Sequence, residues 1–341
     1  MVGNSSTEST AAPAPIPLAD AYALIYGCRA APEVLQHLRG VLGREQVTRL
    51  SDLRAMIMVL DRQTLIGLDL ETHPTPALVR FTRAELRQVD IGGFTIILDA
   101  ADLSVSAPIL ASHEWEPHLT GIFRRYLQPG MRVADIGANV GYYTLLAASI
   151  VGPGGEVLSF DPNSENARLI LLSLEANGFG NVRVHPLALS DAQGYAYFST
   201  HIGSNGGFLD SRCSLADGLG EIVPTARLDD LAPGRLDFLK LDTEGSEYRI
   251  LKGATSVLAD SRPIVTTEFS CEMISRVSGI APAEYLDFFR RLGYSIHLID
   301  KGSGRLLPVD DAESFFRTWG SHVRIEDLLM LPPGRPVLQP G

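Results

Sequence analysis

From Met131 onward, short apolar runs alternate with amphipathic stretches. Arg132–Ile136, Glu156–Phe160, Val182–Leu187, Leu236–Leu241, Ile264–Phe269, Ser295–Ile299 and Asp327–Leu331 read as strands. Between the earlier ones, Tyr142–Ile150 reads as a helix. A second opens at Asn163 or Ser164, turns Ala167, Ile170, Leu171 and Leu174 inward, and ends at Asn177-Gly178. Ser246 can start a third, carrying Ile250, Leu251, Ala254 and Leu258. Repeated units of this kind require a mostly parallel sheet with helices on both faces. The last two runs are separated by a long irregular stretch.

The chain ahead of this region is patterned differently. Residues 1–17, rich in Ser, Thr, Ala and Pro, read as a disordered tail. Residues 18–75 read as a small helical module. Asp20 caps one helix, Pro32 opens a second, and Ser51 caps a third with Leu53, Met56, Ile57 and Leu60 inside. Residues 76–112 read as a linker built on a hairpin, in which Leu86, Val89 and Ile91 lead through Gly92-Gly93 to Phe94–Leu98. The main domain is expected over 113–331, and a disordered tail over 332–341.

Composition narrows the partners. Across 341 residues, 40 acids against 29 Lys plus Arg give a net charge of −11, which disfavours nonspecific nucleic-acid binding and attachment to anionic lipid. No apolar run approaches the ~18–20 residues that span a bilayer; Met56–Leu60 and Leu145–Val151 are core-sized. Cys28, Cys213 and Cys271 are scattered without a CxxC pair, so neither a disulfide framework nor a thiolate zinc site is expected. With no secretory signal at the start, a cytoplasmic protein is the expectation.

The candidate chemistry lies at strand ends. Asp135-Ile136-Gly137-Ala138-Asn139-Val140-Gly141 joins the first strand of the main domain to its helix, where a ligand closely approaches backbone in α/β proteins. A carboxylate at Asp135 would repel the pyrophosphate of NAD, and the loop lacks GxGxxG. Asp135 is compatible with S-adenosylmethionine, which carries an ammonium and a sulfonium and no phosphate; the alternative is an Asp that caps the loop's own amides. Asp161 ends the next strand 20 residues beyond Gly141, near the spacing at which an acid meets ribose hydroxyls. In Pro186–Asp191, Ala188 and Leu189 can flank a base.

More acids follow the fourth strand, in Asp242-Thr243-Glu244-Gly245, and Glu268 ends the fifth. Asp242, Glu244 and Glu268 can converge to orient or deprotonate an attacking hydroxyl; alternatively Asp242 and Glu244 cap the next helix. Lys240 is expected to pair with one of these acids. His113, His118, His185 and His201 have no ligand-like spacing, so no metal is assigned.

VADIGANVGYYTLLAA, SFDPNSENARLI, LALSD, RLDDL and FLKLDTEGSEYRILKGA followed by IVTTEF resemble the FkbM family of S-adenosylmethionine-dependent methyltransferases. The likeness covers about His113 to Leu331. It implies an α/β class I methyltransferase (Rossmann-like) fold, a seven-stranded, mostly parallel sheet with one antiparallel strand near its end. It also implies O-methylation of a hydroxyl on a saccharide or natural product. By position it assigns Asp135, Gly137, Ala138, Asn139, Gly141, Asp161 and Leu189 to the cofactor and Asp242, Glu244 and Glu268 to the transfer site. The family's ribose acid is usually Glu, so Asp161 is one methylene shorter. AYALIYGCRAAPEVLQHL with LSDLRAMIMVL resembles small helical modules ahead of glycan-modifying enzymes, which tilts the acceptor toward a saccharide. The rival readings are an NAD(P)-dependent oxidoreductase and a non-catalytic cofactor-binding scaffold. The acceptor site is expected from the N-terminal module and the loops Ser199–Ile222, with Ser204–Gly207 as a flexible wall or surface loop, and Ser270–Ala283.

Overall fold

The computed structural model describes residues 85–202, 205–208, 221–317 and 324–340, together with residues 16–17 and 46–47. The chain divides into two compact units, Met1–Thr82 and Arg83–Gly341. In the first, β1 (Ile16–Pro17) pairs antiparallel with β2 (Gln46–Val47), so Ile16 and Pro17 are strand residues rather than tail. The three expected helices of the N-terminal module lie outside the described residues, as do Cys28 and Cys213.

The second unit begins with the hairpin β3 (Leu86–Asp90) and β4 (Thr95–Asp99). This segment is no linker. Val89, Phe94, Ile96 and Leu98 enter the main core, and β4 has its outer edge covered. The Thr95 amide donates to Asn177 Oδ1 at 2.7 Å and the Ile97 amide to Ser173 Oγ at 2.8 Å. Side chains of a helix thereby close an edge that would otherwise offer unpaired backbone.

Two helices, α1 (Ser106–Ser112) and α2 (Pro117–Tyr126), lead into the central sheet. There β5 (Arg132–Ile136), α3 (Tyr142–Val151), β6 (Glu156–Phe160), α4 (Ser164–Asn177) and β7 (Val182–His185) make the first half. The short β8 (Ala188–Leu189) follows, then β9 (Gly194–Ile202), β10 (Asn205–Phe208) and β11 (Glu221–Ala226). After α5 (Leu228–Leu231) come β12 (Phe238–Leu241), α6 (Glu247–Lys252), α7 (Thr255–Asp260) and β13 (Ile264–Phe269). The second half closes with α8 (Pro282–Arg291), β14 (Ser295–Ile299), β15 (Leu306–Pro308), α9 (Ala312–Arg317) and β16 (Glu326–Leu331).

The large sheet runs β15-β14-β16-β13-β12-β5-β6-β7. Its pairings from β13 to β7 are parallel. β16 inserts antiparallel between β13 and β14. Without β15 this is the expected seven-stranded class I methyltransferase sheet with one antiparallel strand near its end. The eighth strand, β15, lies in the stretch expected to be irregular. Its Leu306 is buried while Leu307 and Pro308 are exposed, the mixed pattern of an edge. β5, β6 and β12 read as continuous apolar runs because one face packs on α2 and α3 and the other on α6, α7 and α8.

Strands also take up the described parts of the low-pattern loop expected over 199–222, while Ser204 and residues 209–220 lie outside the described residues. β9, β10 and β11 join β8 in a second sheet of order β10-β9-β11-β8, so Asn205, Gly206 and Gly207 belong to a strand. The tail from 332 is likewise held. The Leu338 amide donates to the Tyr126 hydroxyl at 2.8 Å, and Gln339 exchanges hydrogen bonds with the Leu306 backbone. No helix among the described residues is long and apolar enough to cross a membrane.

Candidate active site

Parallel strands bring their carboxyl ends to one sheet edge, so the loops after β5, β6, β12 and β13 meet there. The β5 loop is a tight one. Gly137, Asn139 and Gly141 all have positive φ, at 76°, 53° and 91°. The amides of Gly137 and Ala138 both donate to the Phe160 carbonyl at 3.0 Å, and the Asp242 amide donates to the Ile136 carbonyl at 3.1 Å. A Cβ on Gly137 would lie 1.7 Å from the Asp242 carbonyl oxygen, so at this position glycine is a packing requirement as well as a conformational one.

Asp135 is fully buried under this loop. Thr144 of α3 donates to its Oδ2 at 2.6 Å, and Lys240 Nζ stands 3.3 Å from its Oδ1. The same ammonium is 3.2 Å from Asp242 Oδ2 and donates to the Gly137 carbonyl at 3.0 Å. Burial alone would lower the Lys240 pKa; Asp242 and Asp135 more than reverse it, and the side chain stays charged. Lys240 therefore pairs with two acids, as its place inside β12 suggested. This changes the reading of Asp135. Its charge is matched by Lys240 and does not face the loop as a free carboxylate.

Asp161, also buried, closes the other side. Its Oδ1 accepts from the Asn163 amide at 2.9 Å and from Asn166 Nδ2 at 3.2 Å, while Oδ2 accepts from the Asn139 amide at 2.7 Å. A carboxylate has about four lone-pair positions, so three donors leave room for one more, not for two hydroxyls. Burial pushes the Asp161 carboxyl up to about 7 against the pull of those hydrogen bonds. Ala188 and Leu189 are both buried, Leu189 within the core that holds Leu158 and Phe160.

After β12 the chain turns through Asp242, Thr243, Glu244 and Gly245, with Glu244 at φ 55° and Gly245 at φ 98°. Sequence reasoning missed the residue that holds this turn. Glu247 Oε1 accepts from the Thr243 amide at 2.8 Å, the Thr243 hydroxyl at 3.0 Å and the Gly245 amide at 3.2 Å. Those amides are thus taken by Glu247, and Asp242 is left half-exposed beside Lys240. Across the strand, Glu268 pairs in register with Asp327 of β16. Burial, then Asp242, Glu244, Glu247 and Asp327, hold the Glu268 carboxyl well above its usual range.

Four further residues, Glu116, His118, Lys301 and Asp327, reach this edge without having been expected there. Asp327 Oδ2 lies 2.7 Å from His118 Nε2 and 3.6 Å from Lys301 Nζ. Glu116 Oε2 accepts from the Tyr143 hydroxyl at 3.0 Å. Burial, then Asp327 and Asp242, push Glu116 up to about 7. The sequence signals were the partly polar start of α2 and two acids at the head of an otherwise apolar final strand; neither gives position without the fold. Among the described residues no three His, Cys, Asp or Glu are grouped to hold a metal ion.

The donor set suits a cationic, phosphate-free nucleoside better than a dinucleotide. Asp161 has one acceptor position left beside the glycine loop, Asp242 stands at the same edge, and Lys240, the cation inside the cluster, is already committed to Asp135, Asp242 and Gly137. Nothing in this arrangement is poised to neutralise a pyrophosphate.

Residues 135–296 match the methyltransferase FkbM domain. A protein-L-isoaspartate O-methyltransferase of Triticum aestivum is 25% identical over 182 residues, which is 50% of this chain and 73% of that protein. Among solved structures, the methyltransferase FkbM of Methylobacillus flagellatus KT is 14% identical with a TM-score of 0.37, over 62% of this chain and 50% of that one. The Pyrococcus abyssi tRNA (uracil-54, C5)-methyltransferase, solved with S-adenosyl-L-homocysteine, is 13% identical with a TM-score of 0.39, over 72% and 44%. The chain thus spans half or less of the length of these two structures.

Proposed function

With residues 135–296 belonging to the FkbM methyltransferases, we propose that this protein methylates a hydroxyl group of a saccharide or natural product. It is a methyltransferase, and its cofactor is S-adenosylmethionine, which supplies the methyl group on a sulfonium. Asp161, with its remaining lone pair, accepts from the ribose. Gly137, Ala138, Asn139 and Gly141 let the loop approach the nucleoside, and Leu189 packs near its base. The acids across the edge serve the acceptor.

The observation that carries a hydroxyl acceptor is the group of carboxyls at one sheet edge, Asp242, Glu244 and Glu268, with Asp327 in register beside Glu268. Carboxyl groups bind hydroxyls as hydrogen-bond partners and hold them at fixed angles. Methyl transfer disperses the sulfonium charge, so a carboxylate pressed against sulfur would favour the reactant over the transition state. The useful role of these acids is to aim the acceptor oxygen in line with the methyl carbon, where orientation alone can contribute roughly 7–11 kcal/mol.

Incubation with isotopically labelled S-adenosylmethionine and panels of glycans and small hydroxyl compounds, followed by mass spectrometry, tests the reading. A labelled methyl ether is the expected product. A methyl group on RNA, on nitrogen or on carbon would sink it. The rival oxidoreductase is separated by thermal shift, since S-adenosylmethionine and not NAD should raise the melting temperature. A scaffold without catalysis predicts cofactor binding with no labelled product, and if Glu244→Gln and Glu268→Gln both leave cofactor binding and methylation unchanged, the assigned transfer site is wrong.

A further inference from the structure

Glu116 sits in a conformation that its own helix does not explain. Its φ of 40° and ψ of 73° are left-handed, and it occupies the N-cap of α2, yet its side chain makes no capping hydrogen bond. Pro117 follows it, and a residue before proline normally stays extended. The side chain turns instead toward α3, where the Tyr143 hydroxyl holds Oε2 and leaves Oε1 without a hydrogen bond among the described residues. Part of the residue reaches solvent.

A second observation comes from the sheet beneath. Thr266 is 1% exposed, and its hydroxyl has no partner among the described residues. It pairs in register with Lys240 and stands two residues before Glu268, on the same face. That hydroxyl is hydrogen-bonding capacity on the same face as Glu268 that no described residue uses.

We propose that Glu116 Oε1 is the group that takes the proton from the acceptor hydroxyl. The inference rests on the O-methyltransferase reading. The acceptor O–H proton passes to Oε1, and an oxygen lone pair forms the new O–C bond as the C–S electron pair returns to sulfur. The products are a methyl ether, a neutral thioether and a protonated Glu116, which returns its proton to solvent through the open side.

Glu268 is the obvious competitor and is less suited to this step. Four carboxyls surround it, no described residue forms an ion pair with it, and it keeps its proton well above the usual carboxyl range. It is therefore a hydrogen-bond donor to the acceptor rather than a base. Glu116 is balanced differently. Burial, then Asp327 of β16 and Asp242, oppose its ionised form, Tyr143 of α3 and Lys240 of β12 favour it, and His118 on its own helix is engaged by Asp327. Acid and base roles divide where environments separate two such groups.

The experiment compares Glu116→Gln with Glu268→Gln by calorimetry with S-adenosylmethionine, by turnover against pH on methyl glycosides, and by carbon NMR of carboxyl-labelled glutamates. Glu116→Gln should bind cofactor within about twofold of wild type, lower kcat by about 10²–10⁴, and remove the acidic limb of the pH profile. It should also delete one carboxyl resonance that titrates near 7; Glu116→Asp, which keeps the carboxyl, should restore an acidic limb. A Glu116 resonance titrating below about 5, whether or not any glycoside is turned over, would overturn the proposal. So would an unchanged acidic limb in Glu116→Gln together with its loss in Glu268→Gln. In that case labelled methyl ether from the wild type would leave the O-methyltransferase reading standing, whereas a methyl on nitrogen or carbon would end both.

Discussion

Lys240 and Asp135 face each other across β12 and β5, 3.3 Å apart, with both side chains shut off from solvent. The pair is the electrostatic floor of the site, because the same ammonium also fixes Asp242 and the Gly137 carbonyl. Removing one partner of such a pair leaves a buried charge without compensation. Lys240→Met should therefore destabilise the protein by about 3–5 kcal/mol in urea unfolding. Adding Asp135→Asn should recover much of that loss. Additive destabilisation in the double variant would mean that the two charges do not depend on each other.

The β5 loop has no space for a side chain at Gly137. Gly137→Ala places a methyl against the Asp242 carbonyl oxygen in a left-handed conformation. The backbone alone costs about 1–2 kcal/mol, and the overlap must push the β5 and β12 loops apart. Calorimetry should find cofactor affinity weakened by at least tenfold; wild-type affinity would show that the two loops need not touch.

Asp161 and Glu116 also set how stability depends on pH. Burial raises the Asp161 carboxyl from 3.8 to about 7, and Glu116 from 4.5 to about 7. Between about pH 4 and 7 the native state thus binds protons that the unfolded chain has lost, so stability falls as pH rises. This contribution is complete below pH 4 and gone above 7. Melting temperatures of cofactor-free protein should decline across that window, and less steeply in Asp161→Ala. If a ribose hydroxyl donates to ionised Asp161, cofactor binding near pH 7 should release protons, visible as a buffer-dependent binding enthalpy.

Asn177 tests whether the hairpin belongs to the domain. It accepts from the Thr95 amide and donates to the Thr95 carbonyl at 2.6 Å. Asn177→Ala should cost about 1–3 kcal/mol and speed hydrogen exchange at Thr95 and Ile97. Cofactor affinity should not change. Exchange confined to α4 would mean that the hairpin is held by its apolar face alone.

Much of the sheet was legible because burial on both faces leaves a strand mostly apolar, with few polar positions. Arg132–Ile136, Glu156–Phe160, Ile264–Phe269 and Ser295–Ile299 have the bounds that the apolar runs indicate. β15 and β9–β11 were not legible, since edge and surface strands such as Leu306–Pro308 and residues 194–198 mix exposed and buried positions. Among the site residues, Asp135, Asp161, Asp242 and Glu268 could be placed because each ends a recognisable strand. Lys240 could be expected to pair with one of them, but the residues brought in from other elements could not. Glu116 and Asp327 approach Asp242 through the docking of α2 and the insertion of β16, and neither event has a local pattern.

The antiparallel insertion of β16 between β13 and β14 has a consequence for how the protein is made. Synthesis delivers β13 and β14 before the strand that separates them, so a nascent chain carries every cofactor loop while the sheet still has a gap. Asp327, and with it the anchor of His118, arrives only when that gap is filled. A chain stalled before residue 326 would carry the loops after β5, β6 and β12, and Glu268, without Asp327 in register beside it.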